Sequence, residues 1–426
     1  MQRVGVFFRS LAQRLVISME FFMQNSLGNH AAAGAYGFLL SAAPALMIVS
    51  FFVVTAFQSS PQAIAALLSE FSFLGNLFHE EDSVEKLLDL TRSGVPGLFS
   101  AVGIIWAGRV FALAILRGLK IIFNGPRTRN PIMENFIIIG IELLVILMIA
   151  VMVLLSRSVL ALLRAAGLWG LLGHYGNSLL FSRIIPLGGL GLVCFGTYRF
   201  VPANPPRGLS ALRGTFCCII PFALFSQVLG LVLNQARYNF IYGALGSLVI
   251  LLVNVYFFFN CYFFGAQMAA VIDSFDSVLF SRLHRTWIEG PRSSSLERRL
   301  FSYTKGKLRK YLRSYPAGET VFNQGDDSRD IYFLVSGEAE LRLGPQEPSV
   351  FHPGEIFGEM AYLLGETRTA TIIARTDIST LVLPPELFEE ILRTNPATDR
   401  LVIDNLSRRL KTTNDHLEKT YPGHKN

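Results

Sequence analysis

The chain is short of the side chains that hydrolytic, redox and metal chemistry use. Its four cysteines, Cys194, Cys217, Cys218 and Cys261, all fall in apolar segments, and none stands at a ligand spacing such as C-x-x-C. They read as small packing residues, not as a zinc site or a disulfide framework. The seven histidines are scattered without the ligand spacing by which a metal-dependent nuclease holds ions and activates water. No Walker or Rossmann glycine loop and no Ser/His/Asp arrangement is apparent. An enzyme, a resident metal and an organic cofactor are therefore not expected. Charge is scarce as well: 16% of the 426 residues are charged against 51% hydrophobic, a balance that excludes an ordinary soluble protein. The net charge of +7 raises nucleic acid as a partner. Most of the arginines, however, stand beside apolar segments or in one linker, where positive-inside topology accounts for them, so no nucleic-acid partner is expected.

What the chain does have is long apolar runs. A span needs about 20 predominantly apolar residues, and six stretches qualify: about Gly34 to Phe57, Leu98 to Phe123, Phe136 to Leu155, Leu179 to Phe200, Gly214 to Asn234 and Ala244 to Ile272. The first connection is acidic, with Glu80, Glu81, Asp82, Glu85 and Asp89, and is expected outside. The connections carrying Arg117, Lys120, Arg127 and Arg129, and Arg199, Arg207 and Arg213, are expected inside. Arg157, Arg164 and Arg183 run against the rule. The best fit is a multi-pass protein of the inner (plasma) membrane with both termini cytoplasmic and membrane lipid as its surroundings. Ahead of the first span, residues 1–33 mix Arg3, Arg9, Arg14 and Glu20 with Phe and Leu, the pattern of an amphipathic helix lying on a membrane or simply leading the chain. The expected organisation is this segment, a membrane domain over 34–275, a basic linker over 276–313 and a soluble domain over 314–426. From Arg282 to Arg313 the linker holds ten Lys or Arg against Glu289 and Glu297. Such a stretch can lie on an anionic leaflet or be solvated.

The soluble part shows short β-like runs punctuated by glycine: Thr320 to Asn323, Ile331 to Ser336, Ala339 to Leu343, Thr371 to Ala374 and Ser379 to Leu383. Such spacing suggests a small barrel or roll. Helical pattern returns from Pro385 to about Glu418. Within it Leu406, Leu410, Thr413 and Leu417 either seam a homo-oligomer or pack on the domain's own roll. The segment from Phe357 to Thr371 is the richest in chemistry. Gly358 permits close backbone approach, the residues after it can open a helical turn toward an anion, and Arg368, nine residues past Glu359, can fork onto phosphate oxygens. Glu359 can then take a ribose hydroxyl.

This soluble part resembles the cyclic-nucleotide-binding domain family, with turn glycines at Gly318, Gly325, Gly337 and Gly354 ahead of the segment Gly358-Glu359-Met360-Ala361 and Arg368-Thr369-Ala370. The resemblance implies an α+β fold in which a β-roll is followed by helices. It also implies cyclic AMP or cyclic GMP as a regulatory ligand. Gly358 and Ala361 would offer backbone contacts, Glu359 would hold the ribose 2′-hydroxyl, Arg368 would bind the cyclic phosphate, and Thr369 could add a hydroxyl contact. Thr367 stands where many members carry proline, which loosens a turn without removing a ligand group.

The apolar part resembles the YihY / virulence factor BrkB family, once labelled ribonuclease BN. The resemblance rests on Ala31 to Tyr36 with Leu40 to Pro44, on Tyr198-Arg199-Phe200-Val201-Pro202, and on Tyr242 to Ser247 with Phe264-Gly265-Ala266-Gln267. It implies an α-helical membrane bundle for which envelope or lipid-linked transport has been suggested. Polar residues inside the spans are the chain's own clue, since an unpaired charge in hydrocarbon costs at least ~2.5 kcal/mol. Arg109, Gln227 and Asn260 are expected at one depth near the midplane, as a substrate site or as interhelical hydrogen bonds. Arg117 and Glu142 are expected to form a structural pair. A nucleotide-gated channel would need a pore loop between the last two spans, but Gln235 to Gly243 is too short and holds no filter-like sequence. The expected function is a transporter or lipid-handling membrane protein regulated by a cyclic nucleotide. The alternative is a non-transporting scaffold whose soluble domain drives assembly.

Overall fold

The computed structural model describes residues 2–40, 95–125, 130, 132–137, 139–140, 185–232, 244–289, 307–343 and 348–394. The chain divides into two compact units, one over Val16–Asp273 and one formed by Met1–Leu15 with Ser274–Asn426.

Helix α1 (Gln2–Gln24) belongs to the first unit from Val16 onward and is followed there by α2 (27–40), α3 (Val95–Ile122), a short α4 (132–137), α5 (Ile185–Phe200), α6 (Gly208–Val232) and α7 (Ala244–Asp273). Two of the described helices, α6 and α7, contain stretches long and apolar enough to cross a membrane, Gly208–Gly230 and Val249–Asp273. Only 28% and 33% of their most apolar windows are buried, which separates them from the core helices of a soluble protein. On α6 the exposed side is a continuous apolar stripe of Leu209, Leu212, Phe216, Ile220, Leu224 and Val228. These residues recur at three- and four-residue steps, as a lipid-facing surface requires.

What holds this bundle is close backbone approach together with aromatic packing. A Cβ built on Gly214 would lie 2.5 Å from the Gly265 carbonyl oxygen, and one on Gly265 would lie 2.6 Å from that of Gly214. Helices α6 and α7 therefore touch backbone to backbone at these two glycines, the small-residue packing that works without a hydrophobic driving force between helices. Phe259 of α7 meets Phe111 of α3 edge to face at 5.8 Å, and Phe111 meets Phe38 of α2 at 6.1 Å. The Tyr198 hydroxyl donates to the Tyr262 carbonyl at 2.6 Å, and the Tyr262 hydroxyl donates to Thr197 Oγ1 at 2.8 Å. All three of these residues are buried, so each hydroxyl has the partner that burial demands. Elsewhere on α5, Gly188 faces open space while a Cβ on Gly191 would stand at ordinary contact distance from Thr215 and Ile219 of α6.

The second unit contains α8 (Phe275–Glu289), a 3₁₀ turn (Lys307–Tyr311) and eight strands: β1 (Leu312–Tyr315), β2 (Thr320–Phe322), β3 (Ile331–Ser336), β4 (Ala339–Arg342), β5 (Ser349–Phe351), β6 (Ile356–Phe357), β7 (Thr371–Ala374) and β8 (Ile378–Leu383). Two more helices, α9 (Glu359–Leu364) and α10 (Pro385–Thr394), complete it. The strands form two four-stranded antiparallel sheets, ordered β1-β8-β3-β6 and β2-β7-β4-β5. Phe322, Leu334, Phe351, Phe357 and Ile372 belong to one core cluster that draws on both sheets. Five consecutive residues of β3 are buried because the strand is covered on both faces: Tyr332 and Leu334 join that core, while Phe333 meets Phe280 of α8 edge to face at 5.4 Å. Strands β1, β5 and β6 were not among the β-like runs legible in the sequence. The expected helix beyond residue 394 lies outside the described residues.

Candidate functional site

The seven residues Gly358, Glu359, Met360, Ala361, Arg368, Thr369 and Ala370 line one pocket, together with Phe322, Leu341, Phe351, Phe357 and Ile372. The local chain conformation explains how. Gly358 has φ +80°, a left-handed conformation that glycine adopts freely. A Cβ there would also lie 2.7 Å from Arg368 Nη1. The chain leaves β6 through this turn directly into α9, which ends at a second left-handed glycine, Gly365, with φ +71°. Glu359 opens the helix and is 3% exposed. On the other side, the Arg368 amide donates to the Asp326 carbonyl at 2.9 Å, and the Gly325 amide donates to the Arg368 carbonyl at 2.8 Å. Arg368 is thereby fixed by its backbone before its side chain does anything.

The Arg368 side chain is 2% exposed, the largest fully buried side chain among the described residues. Nη1 donates to the Gly358 carbonyl at 2.8 Å, and Nη2 donates to the Asp330 carbonyl at 2.7 Å and to Ser328 Oγ at 3.0 Å. Its guanidinium carbon stands 4.1 Å from the centre of the Phe322 ring and 5.5 Å from that of Tyr332, a cation–π arrangement. Burial pulls the guanidinium below its ordinary range, against the opposing pull of Tyr332, Asp330 and Asp326; an arginine nonetheless keeps its proton in proteins. Three of its five N–H groups are thus used on protein acceptors, and Nε has no hydrogen-bond partner. A buried, charged donor left unsatisfied is costly and asks for an acceptor. Burial likewise pushes the Tyr332 hydroxyl up to about 12.

The aromatic and backbone cage of Arg368 was not legible in the sequence. Phe322 and Tyr332 lie in runs read as strands, but only the sheet pairing turns them toward the arginine. Asp330 and Gly358 contribute backbone oxygens, which carry no side-chain signature.

The polar residues expected at the membrane midplane are not brought together. Arg109 and Gln227 are exposed on α3 and α6, and Asn260 on α7 donates its amide to the Tyr256 carbonyl of its own helix at 2.8 Å. No hydrogen bond joins any two of the three. A side-chain amide that bonds its own helix four residues back leaves less for a neighbour. Arg117 is exposed, and Glu142, its expected partner, lies outside the described residues. One turn on from Arg117, Lys120 pairs with Glu134 instead. Cys194, Cys218 and Cys261 are buried in helices, and no cluster of three or more potential metal ligands occurs among the described residues.

A helical unit with an apolar outer face and a two-sheet roll holding a buried arginine in a pocket define a membrane-associated protein carrying a cyclic-nucleotide-binding fold. The chain belongs to the virulence factor BrkB family, whose model matches residues 19–281, more than half of its length; a cyclic nucleotide-binding domain model matches residues 312–395. Among curated relatives, the cAMP-dependent protein kinase regulatory subunit of Colletotrichum orbiculare is 35% identical over 117 residues, covering 26% of this chain and 30% of that protein. The cyclic AMP receptor protein of Thermus thermophilus is 34% identical over 111 residues, covering 25% of this chain and 51% of that protein. The chain spans no more than about half the length of either. The crystal structure of the Thermus thermophilus catabolite activator protein matches at 32% identity and a TM-score of 0.24, over 26% of this chain and 56% of that chain.

Proposed function

We propose that this is a multi-pass inner-membrane protein in which a cyclic nucleotide, bound by a cytoplasmic roll, regulates a helical domain that transports or handles a lipid or envelope component. The observation that carries the nucleotide part is the Arg368 guanidinium: buried, charged, held in plane by three protein acceptors, and with Nε left over beside the pocket. A cyclic phosphate supplies what is missing, since its exocyclic oxygens accept a forked pair of N–H bonds. Glu359 takes the ribose hydroxyl, and Gly358, Ala361 and Thr369 border the phosphate. Cyclic AMP is the first ligand to try, because the two curated relatives described above both carry it in their names. The six spans, the cytoplasmic termini and the basic linker over 276–313 as the coupling element belong to the same reading, as does the absence of catalysis. Ligand binding can shift the helical domain only through different affinities for its two arrangements.

A second reading, the non-transporting scaffold, is favoured by one observation. The pocket has a volume of about 40 Å³, room for water but not for a nucleotide. In the first reading α9, bracketed by Gly358 and Gly365, moves outward to admit the ligand. The two are separated by hydrogen exchange on the full chain in lipid nanodiscs, with and without cyclic AMP. Regulation predicts altered protection in α9 and in helices of the 16–273 unit, lost in Arg368→Ala. The scaffold reading predicts no change in either.

A further inference from the structure

A cavity larger than the pocket of the roll lies elsewhere. It has a volume of about 360 Å³, within the ordinary range of small-molecule sites of ~300–1,000 Å³, and lies where α3 and α5 end in the helical unit. Its wall is apolar where it is formed by the buried Leu116, Leu119, Phe123 and Val201. The polar groups at it are the Lys120–Glu134 ion pair and the carboxamides of Asn124 and Asn204. Gly125 is part of the construction: a Cβ there would lie 2.5 Å from Asn204 Cγ, so its absence lets the Asn204 side chain lie against the turn that follows α3.

We propose that this cavity takes a zwitterionic phosphoethanolamine group, carried by a membrane lipid or by a soluble compound. The charges select it. A bare anion drawn to Lys120 meets Glu134, and a bare cation drawn to Glu134 meets Lys120, whereas a group bearing both signs exchanges the protein's internal pair for two intermolecular ones. The exchange is cheap, because the Lys120 and Glu134 side chains are 52% and 27% exposed and a pair this wet contributes little on its own. Helices α3 and α5 both finish here, and their last carbonyls favour the ammonium end. The apolar wall beneath suits the start of an acyl chain. The lipid source rests on the proposed reading that these helix ends lie at the inner membrane surface.

The test uses the full chain in detergent, without cyclic nucleotide, so that failure of the nucleotide site does not enter. Palmitoyl-lysophosphatidylethanolamine, palmitoyl-lysophosphatidylglycerol and free phosphoethanolamine are titrated by microscale thermophoresis. The expected result is saturable binding of the first, weakened about tenfold (about 1.4 kcal/mol) by Lys120→Gln and by Glu134→Gln. Much weaker binding of free phosphoethanolamine assigns the lipid source; equal binding assigns a soluble ligand. The double swap Lys120→Glu with Glu134→Lys keeps an ion pair for folding but reverses the site, and is expected to bind weakly. Equal affinity for the glycerol headgroup, or wild-type affinity in the swap, overturns the proposal. In the unmutated protein, lysophosphatidylethanolamine should slow chemical acetylation of Lys120 read by mass spectrometry; an unchanged rate overturns it as well.

Discussion

The roll and the helical unit store their information differently. In the roll, a fifteen-residue stretch from Phe357 to Thr371 brings a left-handed glycine, a buried glutamate and a buried arginine to one pocket, so local sequence and local chemistry coincide. In the helical unit the determinants are far apart in sequence and nearly featureless in composition: Gly214 against Gly265, Phe111 against Phe259, Tyr198 against Tyr262. A water-soluble roll can afford a conspicuous polar site because water surrounds it. A bundle in lipid is held by close packing and by satisfied hydroxyls, and neither has a short motif.

The sharpest way to break this comparison is to add atoms where the helices touch. Gly265→Leu should prevent α6 and α7 from closing and cost ~3 kcal/mol or more, read as loss of a monodisperse, thermally stable protein in detergent; normal stability would mean the crossing does not hold the bundle. Next in size, Arg368→Ala should lower cyclic nucleotide affinity about a hundredfold or more, since it removes charge-assisted bonds worth roughly 1.5–3 kcal/mol each. Arg368→Lys, which keeps the charge and loses the fork, should still cost about tenfold. Both are measured by competition with a fluorescent cyclic nucleotide.

Tyr332 gives a pH signature confined to the roll. Its folded-state value, about 12, lies above the ordinary 10.0 because burial disfavours the phenolate. The folded form therefore binds the proton more tightly, and the stability this contributes is full below pH 10 and lost as pH rises through about 12. Alkaline unfolding of the roll, followed by near-ultraviolet circular dichroism, should be shallower over that window in Tyr332→Phe. The smallest effect is expected at Tyr198→Phe, about 1 kcal/mol of thermal stability from one buried hydrogen bond, with nucleotide affinity unchanged.

Legibility followed the same division. The second expected span, Leu98 to Phe123, corresponds to helix Val95–Ile122, and the last, Ala244 to Ile272, to Ala244–Asp273, because apolar runs bounded by glycine or charge mark their own ends. In the roll, Ile331 to Ser336 and Thr371 to Ala374 match the strands to the residue, whereas the two-residue β6 is too short to carry an alternation. The cage of Arg368 was hidden because two of its three acceptors are backbone carbonyls. The Lys120–Glu134 pair was hidden because the two residues lie 14 apart on different helices, and the lack of hydrogen bonds among Arg109, Gln227 and Asn260 was hidden because depth along a helix says nothing about the direction a side chain faces.

Nucleotide binding at Arg368 is decided by calorimetric titration of cyclic AMP and cyclic GMP into the full chain in detergent, beside Arg368→Ala and Glu359→Gln. Saturable one-site binding of at least one nucleotide, weakened by both substitutions, is the predicted result. The absence of binding to a well-folded protein, or binding indifferent to Arg368, would contradict it.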